Sequence, residues 1–278
     1  MFNKELLTQD KHIIWNEMFP LSNQFDPIWI LENQMGPNVL WLLEWLIKEM
    51  NIKPGMRVLD LGCGKGLSSI FLAKEFGVEV WATDLWIEPS ENWERISYAG
   101  LTDKVFPIYA DARSLPYAKG FFDVVISIDS YHYFGTDQIY MGYLQKFVKP
   151  LGQIGIVIPG LHKEFEDGIP DHLTNPQKTG ESFWQWDCCT FHSACWWENM
   201  MSMYPFFKII KAESMPDGGE QWLTWERMLD SWDGEKLFPL DIESLEKDNN
   251  QNITFVKLIG HVTEDRDSQT IGEMICDN

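Results

Sequence analysis

Val58-Leu59-Asp60-Leu61-Gly62-Cys63-Gly64-Lys65-Gly66 decides how this chain folds. A short apolar run breaks into three glycines on alternate positions, and Leu67, Ile70 and Phe71 follow at the i, i+3, i+4 spacing of a helix packed on a sheet. The order is strand, glycine turn, helix. Alternating glycines serve a turn that reaches positive φ and leaves backbone N–H groups bare, so that a ligand lies against the main chain at the helix N-terminus. The turn is expected to hold a cofactor, although a lone G-x-G does not say which one.

Working outward, Val78 to Thr83 reads as a second strand ending in Asp84 and Leu85, and Val105 to Ala110 as a third ending in Asp111 and Ala112. A dinucleotide turn is spaced G-x-G-x-x-G, whereas here Gly62, Gly64 and Gly66 alternate and Asp60 stands two residues before the first of them. The stretch resembles the first motif of the class I S-adenosylmethionine-dependent methyltransferases, which is an acid, one apolar residue and then G-x-G-x-G. That resemblance implies S-adenosylmethionine as cofactor. It puts Asp60, Gly62, Cys63, Gly64 and Gly66 at the glycine turn, Asp84 at the ribose and Asp111 beside the adenine, with Leu85 and Ala112 as further cofactor-binding residues. A planar carboxylate such as Asp84 suits a cis-diol, because its two oxygens accept two O–H donors at once. The implied fold is α/β: a Rossmann-like, seven-stranded, mostly parallel sheet with helices on both faces and the last strand antiparallel. Residues 54 to 160 carry the resemblance by motif, and 206 to 262 by layout only.

From Pro54 to Pro159 strands and helices alternate, as in a parallel sheet with right-handed crossovers. A helix is expected from Pro89 to Ala99, stopping at Gly100, and Phe121 to Ile128 reads as strand four. Ile139, Tyr140, Tyr143, Leu144, Phe147 and Val148 repeat as a helix face stopped by Pro150-Leu151-Gly152, and Ile154 to Ile158 reads as strand five. Phe206 to Ser214 and Ile253 to Val262 have strand composition, with a helix carrying Trp222, Trp225 and Trp232 between them. Ligands of such sheets sit beyond the carboxyl ends of the strands.

The expected organisation is one structural domain in four parts. Residues 1–50 are an N-terminal helical lid, 51–160 the cofactor-binding core, 161–205 a substrate-pocket insertion with a helix, and 206–278 the completion of the sheet. In the lid, Ile13, Ile14, Trp15, Met18 and Phe19 form an apolar patch, Phe25 to Ile30 crosses a turn, and Gly36-Pro37 opens a helix. By the resemblance, Asn33, Gln34, Met35 and Gly36 approach the methionine end of the cofactor. Ser193 reads as the N-cap of a helix through Trp196, Trp197, Met200 and Met201.

Strand four ends in Ser127-Ile128-Asp129-Ser130-Tyr131-His132-Tyr133-Phe134, where the methyl acceptor belongs. The Asn/Asp-Pro-Pro-aromatic motif of enzymes that methylate nucleic-acid bases is absent. The stretch is similar to small-molecule methyltransferases of the natural-product, ubiquinone/menaquinone and cyclopropane-fatty-acid-synthase-like groups. That likeness makes His132 the candidate general base, with Tyr131 and Asp129 as further catalytic candidates and Asp129 also near the cofactor. A histidine titrates near neutrality and so accepts a proton from an acceptor hydroxyl, ammonium or acidic carbon. A small-molecule amine is the favoured acceptor. A quinone, phenol or lipid methylated on oxygen or carbon, a protein substrate, and a non-catalytic cofactor-binding module are the alternatives.

Composition narrows these classes. Net charge is −20 with no Lys/Arg cluster, which disfavours nucleic acid and an anionic membrane surface. No run of apolar residues is long enough for a membrane helix and Met1 to Glu5 lacks a leader pattern, so the chain reads as cytoplasmic. Five cysteines, odd in number and unevenly spaced, read as reduced thiols, and no metal is expected. Among 14 tryptophans, Trp184, Trp186, Trp196, Trp197, Trp222 and Trp225 fall where substrate elements belong, most of them as packing.

Overall fold

The computed structural model describes residues 15–264. Ile13 and Ile14, named above, and Cys276, one of the five cysteines, lie outside the described residues.

Two helices precede the sheet, α1 (Pro27–Glu32) and α2 (Val39–Ile47). Phe25 to Ile30 is therefore the start of a helix and not a crossing turn: the Asp26 side chain accepts from the Ile28 and Trp29 amides, and Pro27 holds the first helical position. Similarly, α2 opens two residues later than Gly36-Pro37, because Asn38 supplies the acceptor for the Leu40 and Trp41 amides.

Seven strands follow: β1 (Arg57–Leu61), β2 (Glu79–Asp84), β3 (Val105–Tyr109), β4 (Phe122–Ile128), β5 (Val148–Leu161), β6 (Phe207–Ser214) and β7 (Ile253–Val262). They lie in the order β3-β2-β1-β4-β5-β7-β6. The first five are parallel, and β7 runs antiparallel between β5 and β6. Helices α3 (Leu67–Phe76), α4 (Pro89–Tyr98) and α5 (Tyr140–Leu144) make the crossovers. Beyond β5 come α6 (Asp171–Thr174), α7 (Ala194–Met201), α8 (Gly218–Ser231) and α9 (Ile242–Asp248). The Ser193 side chain caps α7 by accepting from the Trp196 amide.

Two expectations need correction. Pro150-Leu151-Gly152 does not precede β5 but interrupts it: Phe122 pairs with Val148, Val124 with Gln153, and the residues between loop out of register. The helix before it is one short α turn followed by a 3-10 turn, Gln145–Phe147. Helix α9 was not expected, since its charged sequence shows only a weak apolar stripe.

Side chains of alternating residues feed two cores, one on each face of the sheet. Val124, Ile126 and Ile128 of β4 join α2, α3 and α8 on one face, whereas Ile154, Ile156 and Ile158 of β5 meet Tyr140, Leu144 and Trp197 on the other. With both faces covered, β1, β4 and β5 read as near-continuous apolar runs.

Candidate active site

At the carboxyl end of β1 the chain turns through Gly62, Gly64 and Gly66, with φ of 75°, 53° and 78°. L-residues enter this left-handed region at a cost, and here space also demands glycine. A Cβ on Gly62 would invade the Ser130 hydroxyl, and one on Gly64 would lie 2.8 Å from the Met35 sulfur. The turn is fastened to β2, since the Gly62 and Cys63 amides donate to Thr83 O at 2.8 and 3.1 Å and the Gly64 amide donates to Asp84 Oδ2 at 2.8 Å. Asp84 Oδ1 accepts from the Trp86 and Ile87 amides at 2.7 and 3.0 Å, which fixes the carboxylate at the strand end.

These groups wall a cavity of about 320 Å³, within the range of small-molecule sites. Gly62, Cys63, Gly64, Asp84, Leu85, Asp111, Ala112 and Asp129 all line it. The structure thus brings together eight of the residues singled out from the sequence. Asp111 is gripped by Arg113, which donates from Nε and Nη2 at 2.9 and 2.8 Å and holds the carboxyl below its usual range. The segment between α1 and α2 closes the cavity from above: Asn33, Met35, Gly36 and Pro37 line it, and Gly36 comes so near Asp129 that a Cβ would sit 2.8 Å from Oδ2. Trp225 Nε1 donates to Gly36 O at 2.8 Å, and Arg95 Nε to Asn33 Oδ1 at 2.8 Å. Gln34 instead turns away, with Nε2 toward Glu235 O at 3.4 Å.

Four of the proposed site residues stand elsewhere. Asp60 is buried behind the turn, where Ser68 and Ser69 of α3 both donate to Oδ2 at 2.6 Å; it joins strand to helix and does not face the cavity. Gly66 is the N-cap of α3 and also lies behind the wall. Tyr131 and His132 are displaced by the 3-10 turn Tyr131–Tyr133. Three residues per turn send successive side chains about 120° apart, so only one of the three meets the cavity. Tyr131 goes into the core against Phe134, Tyr140 and Trp197. His132 is buried between Tyr133 and Phe191, and burial pushes its pKa down to about 3. Tyr133 is the one on the cavity wall.

Asp129 ends β4 with φ of 54°, held by its amide donating to Val157 O at 2.8 Å. Its side chain faces the cavity, and burial, reinforced by the Asp187 charge, pushes its pKa up to about 8. Opposite the glycine turn, the wall is aromatic: Trp86, Tyr133, Phe134, Trp186 and Phe238. Of the six tryptophans noted in the sequence, Trp186 alone lines the cavity, and Trp197, Trp222 and Trp225 are core residues.

A methyltransferase-domain family matches residues 58–152, which span the glycine turn, Asp84, Asp111 and Asp129. This segment is similar to the class I S-adenosylmethionine-dependent methyltransferases. Methyltransferase GfsG of Streptomyces halstedii is 32% identical over 117 residues, which are 41% of this chain and 42% of that protein. Phosphoethanolamine N-methyltransferase 1 of Arabidopsis thaliana is 32% identical over 113 residues, 39% of this chain and 22% of that protein. The chain therefore spans less than half the length of each. The fold is shared with geranyl diphosphate C-methyltransferase from Streptomyces coelicolor A3(2), solved with S-adenosyl-L-homocysteine: TM-score 0.62 at 14% identity, over 80% of this chain and 76% of that one.

Sequence reasoning missed Trp86, Tyr133, Arg113 and Phe238 in this cavity. Trp86 was findable, two residues past the strand-end acid. Phe238 was not, because it stands in an irregular segment with no pattern.

Proposed function

We infer that the protein transfers a methyl group from S-adenosylmethionine to a small-molecule acceptor, with an amine ahead of a hydroxyl or carbon. The observation that carries this reading is the run of Gly62, Gly64, Asp84, Asp111 and Asp129 along one cavity at the carboxyl edge of the sheet. The residues fit the cofactor: the glycine turn lines the cavity without side chains at Gly62 and Gly64, Asp84 ends β2, and Asp111 stands two residues past β3. When bound, the sulfonium supplies an electrophilic methyl.

The chain's own part is placement, water exclusion and proton handling. Asp84 would accept from a hydroxyl pair, and Asp111 from an amino group of the base. The Asn33–Pro37 segment would shield the reacting atoms from water. Asp129 and Tyr133 are the polar groups on the acceptor side, and a carboxyl titrating near 8 suits removal of a proton from an ammonium. His132 would act from beneath Tyr133, as a neutral ring that positions it. The relatives include an N-methyltransferase by name, which accords with the amine.

The test is incubation with methyl-labelled S-adenosylmethionine and a panel of primary to tertiary amines, phenols, enols and fatty acids, read by mass spectrometry. Label on an amine, lost in Asp129→Asn, is the expected result. Label on phenols or lipids alone would overturn the amine, and no label on any acceptor class would overturn the small-molecule reading.

A further inference from the structure

The acceptor side of the cavity is unusual in what it exposes. Trp186 is 84% exposed, Trp86 62%, Phe238 50% and Tyr133 43%, yet all four line the one cavity. Large apolar rings are normally withdrawn from water unless a partner covers them. The ring centroids of Trp86 and Tyr133 stand 5.7 Å apart with their planes tilted by 53°, so the two rings are not stacked face to face.

Charge distinguishes this recess from a plain apolar slot. Asp129 lies on its wall and Asp187 follows Trp186 directly, and the two carboxylates feel each other's field. Neither makes an ion pair among the described residues. Two cations line the cavity: Arg113 is paired with Asp111, and Lys65 Nζ donates to Glu32 O at 3.3 Å, so neither makes an ion pair with Asp129. Burial without a countercharge keeps the Asp129 carboxyl protonated, and a cation bound beside it favours the ionised carboxylate. Aromatic faces attract the same charge through their quadrupoles.

Resting on the methyltransferase reading, we propose that this recess recognises its acceptor as a cation through the faces of Trp86, Tyr133, Trp186 and Phe238 and the carboxylate of Asp129. Because faces and a charge need no N–H donor, the recess holds a fully alkylated ammonium as well as a protonated amine. Successive methylation therefore does not weaken its grip. An apolar or phenolic acceptor would use the rings but leave Asp129 unmatched.

Two probes of nearly equal shape separate these cases: choline, and 3,3-dimethylbutan-1-ol, in which carbon replaces the ammonium nitrogen. Each is titrated calorimetrically into the wild type saturated with S-adenosylhomocysteine. Choline is expected to bind about tenfold more tightly than its neutral isostere, a preference that Trp186→Leu and Asp129→Asn each reduce several-fold. Trp186 is so exposed that its replacement leaves the fold intact. Equal affinity for the two probes, no binding of choline, or a preference untouched by both substitutions overturns the proposal. S-adenosylhomocysteine binding is scored first: its absence counts against the methyltransferase reading, whereas its presence with no choline preference counts against the cationic recess alone.

Discussion

Asp129 combines three features that stability alone would not select. Its backbone is left-handed without being glycine, at a cost of roughly 1 kcal/mol or more, its side chain has no partner of opposite charge among the described residues, and its pKa is raised to about 8. Strain of this kind collects where geometry serves a ligand. Glu226 behaves alike, pushed to about 7 by burial and then by Asp241. Both carboxyls keep protons in the folded state that the unfolded chain releases near pH 4, so the native state binds more protons between about pH 4 and 8. Stability should therefore fall as pH rises through that window, having been fully present below it. Urea midpoints measured from pH 5.5 to 8.5 should decline for the wild type, with Asp129→Asn flattening the upper end and Glu226→Gln the middle. A midpoint that rises across this range would contradict the assignment. At this scale the sequence was least legible: an acid, a tyrosine and a histidine were visible after strand four, but which one faces the cavity depends on a 3-10 turn that no periodicity announces.

The joint between β1 and α3 shows how an element's needs are mistaken for a site's. Asp60 sits in the glycine motif, and its type and spacing read as cofactor-binding. In the fold its Oδ2 accepts from two serines on the first turn of α3, and burial raises its pKa to about 6. Asp60→Ala should cost about 3 kcal/mol in urea unfolding, since two buried hydroxyls lose a charged acceptor. Any variant that remains folded should bind S-adenosylhomocysteine within a few-fold of wild type. A large loss of affinity with unchanged stability would return Asp60 to the binding site. Elements themselves were well signposted where a local rule acts alone. Ser193 was read as a cap because a serine before an apolar stripe has few other uses, and Gly100 ends its helix for the same reason. Where rules compete, the boundary moved: Pro150-Leu151-Gly152 breaks a helix and equally bulges a strand, and the pairing of Phe122 with Val148 decides for the bulge.

Across the whole molecule, the alternation of strands and helices was legible because each β–α unit repeats one pattern; the count of seven and the antiparallel last strand rested on the family resemblance, and the order β3-β2-β1-β4-β5-β7-β6 comes from the structure. The cavity's aromatic side was not legible, since it draws Trp86, Tyr133, Trp186 and Phe238 from four separate segments that meet only in the fold. No helix among the described residues is long and apolar enough to cross a membrane. On the proposed function, the ends of the first three strands carry the cofactor half of the site, and Trp86 with residues from later segments shapes the acceptor half. That division rests on the cofactor lying along the glycine turn with Asp84 at its ribose. Calorimetric titration of S-adenosylhomocysteine into the wild type and Asp84→Ala tests it most directly. Saturable binding to one site, weakened at least tenfold or about 1.4 kcal/mol by the substitution, is the predicted result. A wild type that binds nothing, or a folded variant that binds as tightly, would contradict it.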